Sequence, residues 1–360
     1  MKFYSLKNIM AKNAPYNIII SERSNGKTYA CLIEILKNYV KYKKQGAYLR
    51  RWIDDLKTKQ AGNLFQAIIE NGEIEKLTNG EFTDIYYRHY KWYLCTYDSE
   101  GNRICDNDPF MYFFALTSME HDKSVSYPLI TTIVFDEFIT RSMYLPDEFV
   151  IFCNVLSTII RHRSDVKIFM LGNTVNKYCP YFAEMGLKHV KDMQQGSIDL
   201  YRYGDSKLTV AVEFVKPNKQ GKESDFYFSF DNPKLQMITG GIWEIDIYPH
   251  CPCKYTKKDI IFTYYIDFDG DLLQCEIVQK DELYFTFIHA KTTPVFSGEL
   301  VYSCEYHAEP NYRRKITNSI DPIDKKIFDF FKREKVFYAN NEIGEIVRNY
   351  LLWCRKNDRD

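Results

Sequence analysis

An apolar run, Ile18-Ile19-Ile20, breaks into a polar turn ending in Gly26-Lys27-Thr28, and Tyr29 to Tyr42 then reads as a helix. A buried strand, a tight loop, Gly-Lys-Thr and a helix, in that order, specify an α/β unit with a phosphate-binding loop. Loop and helix N-terminal N–H groups face the phosphates in such a unit. The candidate phosphate-binding residues are Ser21, Glu22, Arg23, Ser24, Asn25, Gly26, Lys27 and Thr28. Lys27 would reach the terminal phosphates of ATP, and Thr28 would hold Mg²⁺. Ser21 occupies the place of the first glycine in G-x-x-x-x-G-K-[ST]. Gly-Lys-Thr is common by chance, so the flanking strand and helix carry the inference.

A second signal lies far downstream. Thr131-Thr132-Ile133-Val134-Phe135 is a short strand that ends in Asp136-Glu137. At the tip of a strand in a P-loop fold, Asp136 would hold Mg²⁺ through water and Glu137 would polarise the attacking water. The alternative is a strand ending in two solvated acids. The adjacent acid pair points to hydrolysing motors with an extra strand between the two motifs. Val166 to Leu171 is a further buried strand, and the polar tip after it makes Asn173 a candidate phosphate sensor, or else a turn residue.

Other residues join these motifs. Arg50 and Arg51 end a short strand where ligands bind in open α/β sheets, or simply pair with Asp54 and Asp55. Residues 52–70 look helical. Residues 81–97, with a turn at 98–103, suggest an inserted β-hairpin whose Arg88, His89 and Lys91 form a solvated face or touch a polyanion. Lys123 lies in a polar loop. Residues 146–163 form a helix, with Asp147 and Glu148 suited to its positive end. Arg161 lies on its polar side, placed to act across an interface as an arginine finger or to complement the helix C-terminus. Arg163 lies near the core edge.

Composition limits the partners. The net charge is zero, so a nucleic acid must be met by local basic patches. No apolar stretch of about 18 residues is present, so no membrane span is expected. The opening segment lacks a signal-peptide core, and ten spread cysteines read as reduced cytosolic thiols of a protein that is not secreted. His250-Cys251-Pro252-Cys253 has no second ligand pair at zinc spacing.

From about residue 200 the texture changes. We expect a P-loop domain over 1–200, a linker subdomain over 201–255 and a smaller α+β domain over 256–360. The last opens with a hairpin around Asp267, Asp269 and Asp271 and closes with helices near 322–334 and 341–355. Three acids at one turn do not converge as two-metal nuclease chemistry requires.

The segments SERSNGKTYA, AYLRRW, SVSYPLITTIVFDEF, IIRHRSDVKIFMLGNTVN, CPYF and VFYANNEIGEIVRNYLL together resemble the DNA-packaging ATPases (encapsidation proteins) of small podoviruses of the phi-29 type. The resemblance implies an additional-strand P-loop ATPase domain (RecA/FtsK-like, mostly parallel sheet) and an RNase H-like C-terminal domain without a complete nuclease site. It implies a pentameric ring at the portal of an empty capsid in the host cytoplasm. Such a ring drives double-stranded DNA inward with ATP and Mg²⁺, sometimes on a structural RNA. By motif match Arg161 is the finger acting on the neighbouring subunit; Arg50, Arg51, Lys123 and Arg163 are accessory candidates from their positions in the sequence, not from the resemblance. A cellular-type DNA pump, a terminase-like ATPase with an active nuclease, and a nucleotide-binding scaffold whose motor function has lapsed are the alternatives.

Overall fold

The apolar runs become the inner strands of a mostly parallel sheet. The computed structural model describes residues 4–23, 25–56, 58–118, 125–140, 144–145, 147–175, 179–204, 206–216, 243, 248–317 and 319–357. The chain divides into two units, Met1–Trp243 and Glu244–Asp360. In order, the first carries α1 (Lys7–Met10), β1 (Tyr16–Ser21), α2 (Lys27–Tyr42), β2 (Gln45–Arg50), α3 (Thr58–Asn63), α4 (Gln66–Glu70), α5 (Glu73–Thr78), β3 (Asp84–Arg88), β4 (Lys91–Tyr97), β5 (Arg103–Cys105), β6 (Met111–Ala115), β7 (Ile130–Asp136), α6 (Glu148–Ile160), β8 (Lys167–Asn173), α7 (Pro180–Glu184), β9 (Ile198–Arg202) and β10 (Thr209–Phe214).

Among the described residues the sheet has the order β3-β4-β6-β2-β7-β8-β1-β10-β9, with β5 paired to β4. The six strands from β6 to β10 in that order are all parallel to their neighbours. Strand β8 separates the phosphate-loop strand β1 from the acidic strand β7, which is the expected additional strand. A parallel sheet is buried on both sides, and its strands are apolar throughout. Alternation sorts their side chains. Ile18, Ile20, Ala47, Leu49, Ile133 and Phe135 pack towards Phe152, Val155, Leu156 and Ile159 of α6. Ile19, Tyr48, Val134 and Phe169 pack towards Cys31, Leu32, Ile35 and Leu36 of α2.

The expected boundary after residue 200 does not hold as drawn. Strand β10 lies parallel against β1, and β9 pairs with β10, so residues to at least 214 belong to the first sheet. The linker expected over 201–255 falls largely outside the described residues. The inserted hairpin is also different. Its turn is His89-Tyr90, both at positive φ, and the turn at 98–102 joins β4 to the additional strand β5. The segment 52–70 is broken into a 3-10 turn (Ile53–Leu56) and the short helices α3 and α4 rather than forming one helix.

The second unit carries β11 (Ile260–Phe268), β12 (Asp271–Lys280), β13 (Leu283–Ala290), β14 (Val301–Ser303), β15 (Tyr312–Arg313), α8 (Pro322–Lys332), β16 (Val336–Tyr338) and α9 (Asn341–Asn357). Its sheet order is β15-β14-β11-β12-β13-β16. An antiparallel meander, β11 to β13, is flanked by parallel strands. Helix α9 buries Ile343, Ile346, Val347, Tyr350 and Cys354.

Candidate active site

Gly26 closes the loop at φ 87°, a left-handed backbone that glycine takes without strain. Lys27 opens α2 directly after it. The first turn of a helix leaves N–H groups without intrahelical partners, so the loop gathers donors beyond the C-terminal edge of β1. Lys27 is 7% exposed. Its Nζ donates to Ser21 Oγ at 2.8 Å, Asn173 Oδ1 at 2.9 Å and Glu22 O at 3.2 Å. Three acceptors match the three donors of an ammonium. Burial nonetheless pulls its pKa down to about 8, against the opposing pull of Asp136 and Glu22.

Ser21 is the last residue of β1 and pairs in register with Asn173 of β8. Its backbone is not left-handed, so a serine here strains nothing. Its hydroxyl gives Lys27 an anchor that glycine could not. Gly172, just before Asn173, has a different reason to be glycine. A Cβ there would lie 2.5 Å from Ile139 Cδ1, so its absence lets the segment after Glu137 cross closely over β8.

Thr28 Oγ1 donates to Asp136 Oδ2 at 2.9 Å, and Tyr48 OH donates to the same oxygen at 2.7 Å. Burial, and then Asp136 itself, raise the Tyr48 pKa well above its ordinary value, so this phenol remains a donor. A threonine hydroxyl beside an aspartate is the hard-oxygen pair that suits Mg²⁺ next to phosphates. The donor set therefore fits the ion. Glu137 follows at φ 56°, and its side chain is 56% exposed. Arg50 Nη2 holds Glu137 Oε2 at 2.6 Å, and Arg50 Nε lies 3.3 Å from Asp55 Oδ2. Arg23, Asn25, Lys27, Thr28, Asp136, Glu137, Thr140 and Asn173 line one open cleft of about 770 Å³.

Alternation along β2 separates the two arginines. Arg50 follows Tyr48 to the α2 side. Arg51 turns to the α6 side, is 5% exposed, and grips Glu148 through Nε at 2.8 Å and Nη2 at 2.9 Å. Arg51 is therefore not a surface residue paired with Asp54 or Asp55, and Glu148 is a buried counter-ion rather than a simple complement to a helix end. Sequence reading missed Tyr48, Glu148 and Tyr181, which donates to Glu148 Oε1 at 2.9 Å. Alternation through Ala47-Tyr48-Leu49-Arg50 was the available signal for Tyr48.

Arg161 and Arg163 lie at the other end of the sheet. Helix α6 starts beside Arg51 and returns to the start of β7, about 20 Å away at 1.5 Å per residue. Arg163 Nη2 donates to Ile130 O at 2.6 Å and to Ile159 O at 3.2 Å, and Nη1 to Pro128 O at 3.0 Å. It is an anchor for the strand entry. Arg161 is exposed, and its guanidinium donates to Val125 O at 3.0 Å. Neither joins the cleft of its own chain. Ser24 and Lys123 lie outside the described residues.

In the second unit, Asp267 faces Ser303 of β14 across the strand pair at 3.5 Å. Burial and then Glu305 raise its pKa. Asp269 and Gly270 form the turn, and Asp271 starts β12. Among the described residues no three His, Cys, Asp or Glu side chains group to hold a metal ion.

Comparison with known proteins bears on the family and the fold. The family model described as Podovirus DNA encapsidation protein (Gp16) matches residues 1–222. The DNA packaging protein of Bacillus phage B103 is 29% identical over 262 residues, 63% of this chain and 73% of that protein. That of Bacillus phage phi29 is 28% identical over 185 residues, 50% of this chain and 49% of that protein. In fold, the chain is similar to a protein of the bacteriophage Phi-29 viral genome packaging motor assembly, with TM-score 0.58 and 20% identity, covering 98% of this chain and 99% of that one. It is also similar to the Phi-28 gp11 DNA packaging motor, with TM-score 0.52 and 19% identity over 98% of this chain and 96% of that one. A phosphate loop, an acidic strand two places away and a model match over more than half the length lead to one conclusion: this chain belongs to the podovirus DNA encapsidation protein (Gp16) family.

Proposed function

We propose that this chain is an ATP hydrolase that drives viral double-stranded DNA into an empty capsid, as one subunit of a homo-oligomeric ring. The observation that carries the reading is the pairing of Lys27 and Thr28 with Asn173 and Asp136 across β8, in a chain of the encapsidation family. On ATP binding, Lys27 exchanges Ser21 and Asn173 for phosphate oxygens. Mg²⁺, held by Thr28 and Asp136, would offset phosphate charge. Glu137 leaves Arg50 and accepts the proton of the attacking water. Arg161 of a neighbouring copy stabilises charge on the transferred phosphoryl group, since it lies too far from its own cleft.

The resemblance extends the proposal to a pentamer seated at the capsid portal in the host cytoplasm, with a structural RNA as a further partner. DNA is gripped by its backbone, so binding weakens steeply with salt. The alternative with an active nuclease loses support from the scattered acids at 267–271. The test is Glu137→Gln. It retains ATP binding and loses turnover by about a hundredfold or more, as removal of a general base does. Turnover at the wild-type rate would sink the assignment.

A further inference from the structure

We infer that Arg51 is a positioning residue for Glu137: it holds the left-handed turn that aims the Glu137 carboxylate, and Glu148 holds Arg51. The inference rests on the hydrolytic reading of the cleft given above.

Glu137 is neither glycine nor asparagine, yet it sits at φ 56°. Such a conformation persists only when its surroundings over-determine it. Arg51 supplies that restraint. Its Nη2 donates to Phe138 O at 2.9 Å, and its Nη1 lies 3.4 Å from Glu137 O. The two carbonyls that flank the turn thus meet one rigid, planar fork of donors. The fork itself is fixed. Glu148 takes it in two-point fashion, through Nε and Nη2. Glu148 also accepts from Leu145 N at 2.7 Å and from Tyr181 OH at 2.9 Å. The guanidinium lies 5.0 Å from the Tyr144 ring centroid.

A buried ion pair is weak evidence for stability, because desolvation offsets its attraction. A pair that also ends on the backbone of a reacting residue has another use. The neighbouring arginines hold Glu137 at both ends: Arg50 its carboxylate, Arg51 its peptide. Arg51 does not itself line the cleft and meets its lining through the Glu137 carbonyl, so it acts through Glu137.

The test is Arg51→Met combined with Glu148→Gln, which leaves no buried charge unpaired and keeps an acceptor for Tyr181. The expected protein folds, binds a fluorescent ATP analogue within about threefold of wild type, and turns over ATP about 10- to 100-fold more slowly, as misplacing a reacting group does. Hydrogen exchange of the 137–140 amides quickens while that of β7 and β8 does not. Turnover within twofold of wild type with unchanged exchange overturns the inference. So does a parallel fall in affinity and turnover, which would mean general damage to the site. Should the double variant fail to fold, Arg51→Lys decides: the inference requires a lower kcat at unchanged KM, and an unchanged kcat overturns it. A wild-type protein without ATP turnover would defeat the hydrolytic reading, and the exchange measurement would then still decide whether Arg51 holds the turn.

Discussion

The Lys27 ammonium and the Ser21 hydroxyl lie 2.8 Å apart, and the serine stands where this loop type carries its first glycine. Ser21→Gly removes one of three acceptors from a buried cation. A hydrogen bond to a charged group contributes about 1.5–3 kcal/mol, so the ligand-free variant should lose stability of that order in urea unfolding. With saturating ATP the phosphates replace the lost acceptor, and the difference should shrink. An equal loss with and without ATP would show that the hydroxyl serves the strand rather than the lysine.

Burial sets Lys27 at about pH 8 when no phosphate is present. Phosphate charge favours the protonated amine. ATP affinity should therefore be flat below pH 7.5 and fall by about tenfold per pH unit above 8, with proton uptake measurable by calorimetry in buffers of different ionisation heat. The stability sign is opposite. Between pH 8 and the unfolded value of 10.5 the unfolded chain binds more protons at this residue, so its contribution to ligand-free stability rises with pH.

Arg50 holds the Glu137 carboxylate at 2.6 Å, away from any role as a base. Arg50→Ala should raise ATP turnover without DNA several-fold and reduce its stimulation by double-stranded DNA. A fall in DNA-free turnover would mean that Arg50 orients the glutamate rather than restraining it.

The two arginines after α6 should behave differently. Arg161→Ala mixed into wild-type protein should depress ATP turnover faster than its mole fraction, with no change in melting temperature. Arg163→Ala loses its hold on the entry to β7 and should cost about 2 kcal/mol of stability, from hydrogen bonds made by a charged group. A loss in strict proportion to the Arg161→Ala fraction would argue against action between subunits.

Tyr48→Phe deletes one donor from Asp136 and leaves the ring in place. The Mg²⁺ concentration for half-maximal binding of a fluorescent ATP analogue should shift, while affinity in chelator should not. An identical Mg²⁺ titration would show that the phenol merely satisfies its own burial.

Local patterns announced the parts of this site that stand next to one another in sequence. Gly26-Lys27-Thr28, Asp136-Glu137 and Asn173 all lie on or beside short, locally patterned stretches. The misses are long-range. Nothing near Arg51 identifies Glu148, because the pair forms only when β2 and α6 meet on one face of the sheet. The first unit extends past residue 200 for the same reason: β10 belongs with β1, its partner from the other end of the unit. Adjacent Arg50 and Arg51 read alike as charges, and only the two-residue period of β2 sends them to different work.

Strand β8 has one more consequence. It holds β1 and β7 two hydrogen-bonding steps apart, about 10 Å at the usual interstrand distance. The gap between the lysine side and the acid side is thus gauged by main-chain bonds, which every sequence shares. Side chains around it can drift while the calliper that sizes the phosphate seat stays at one setting.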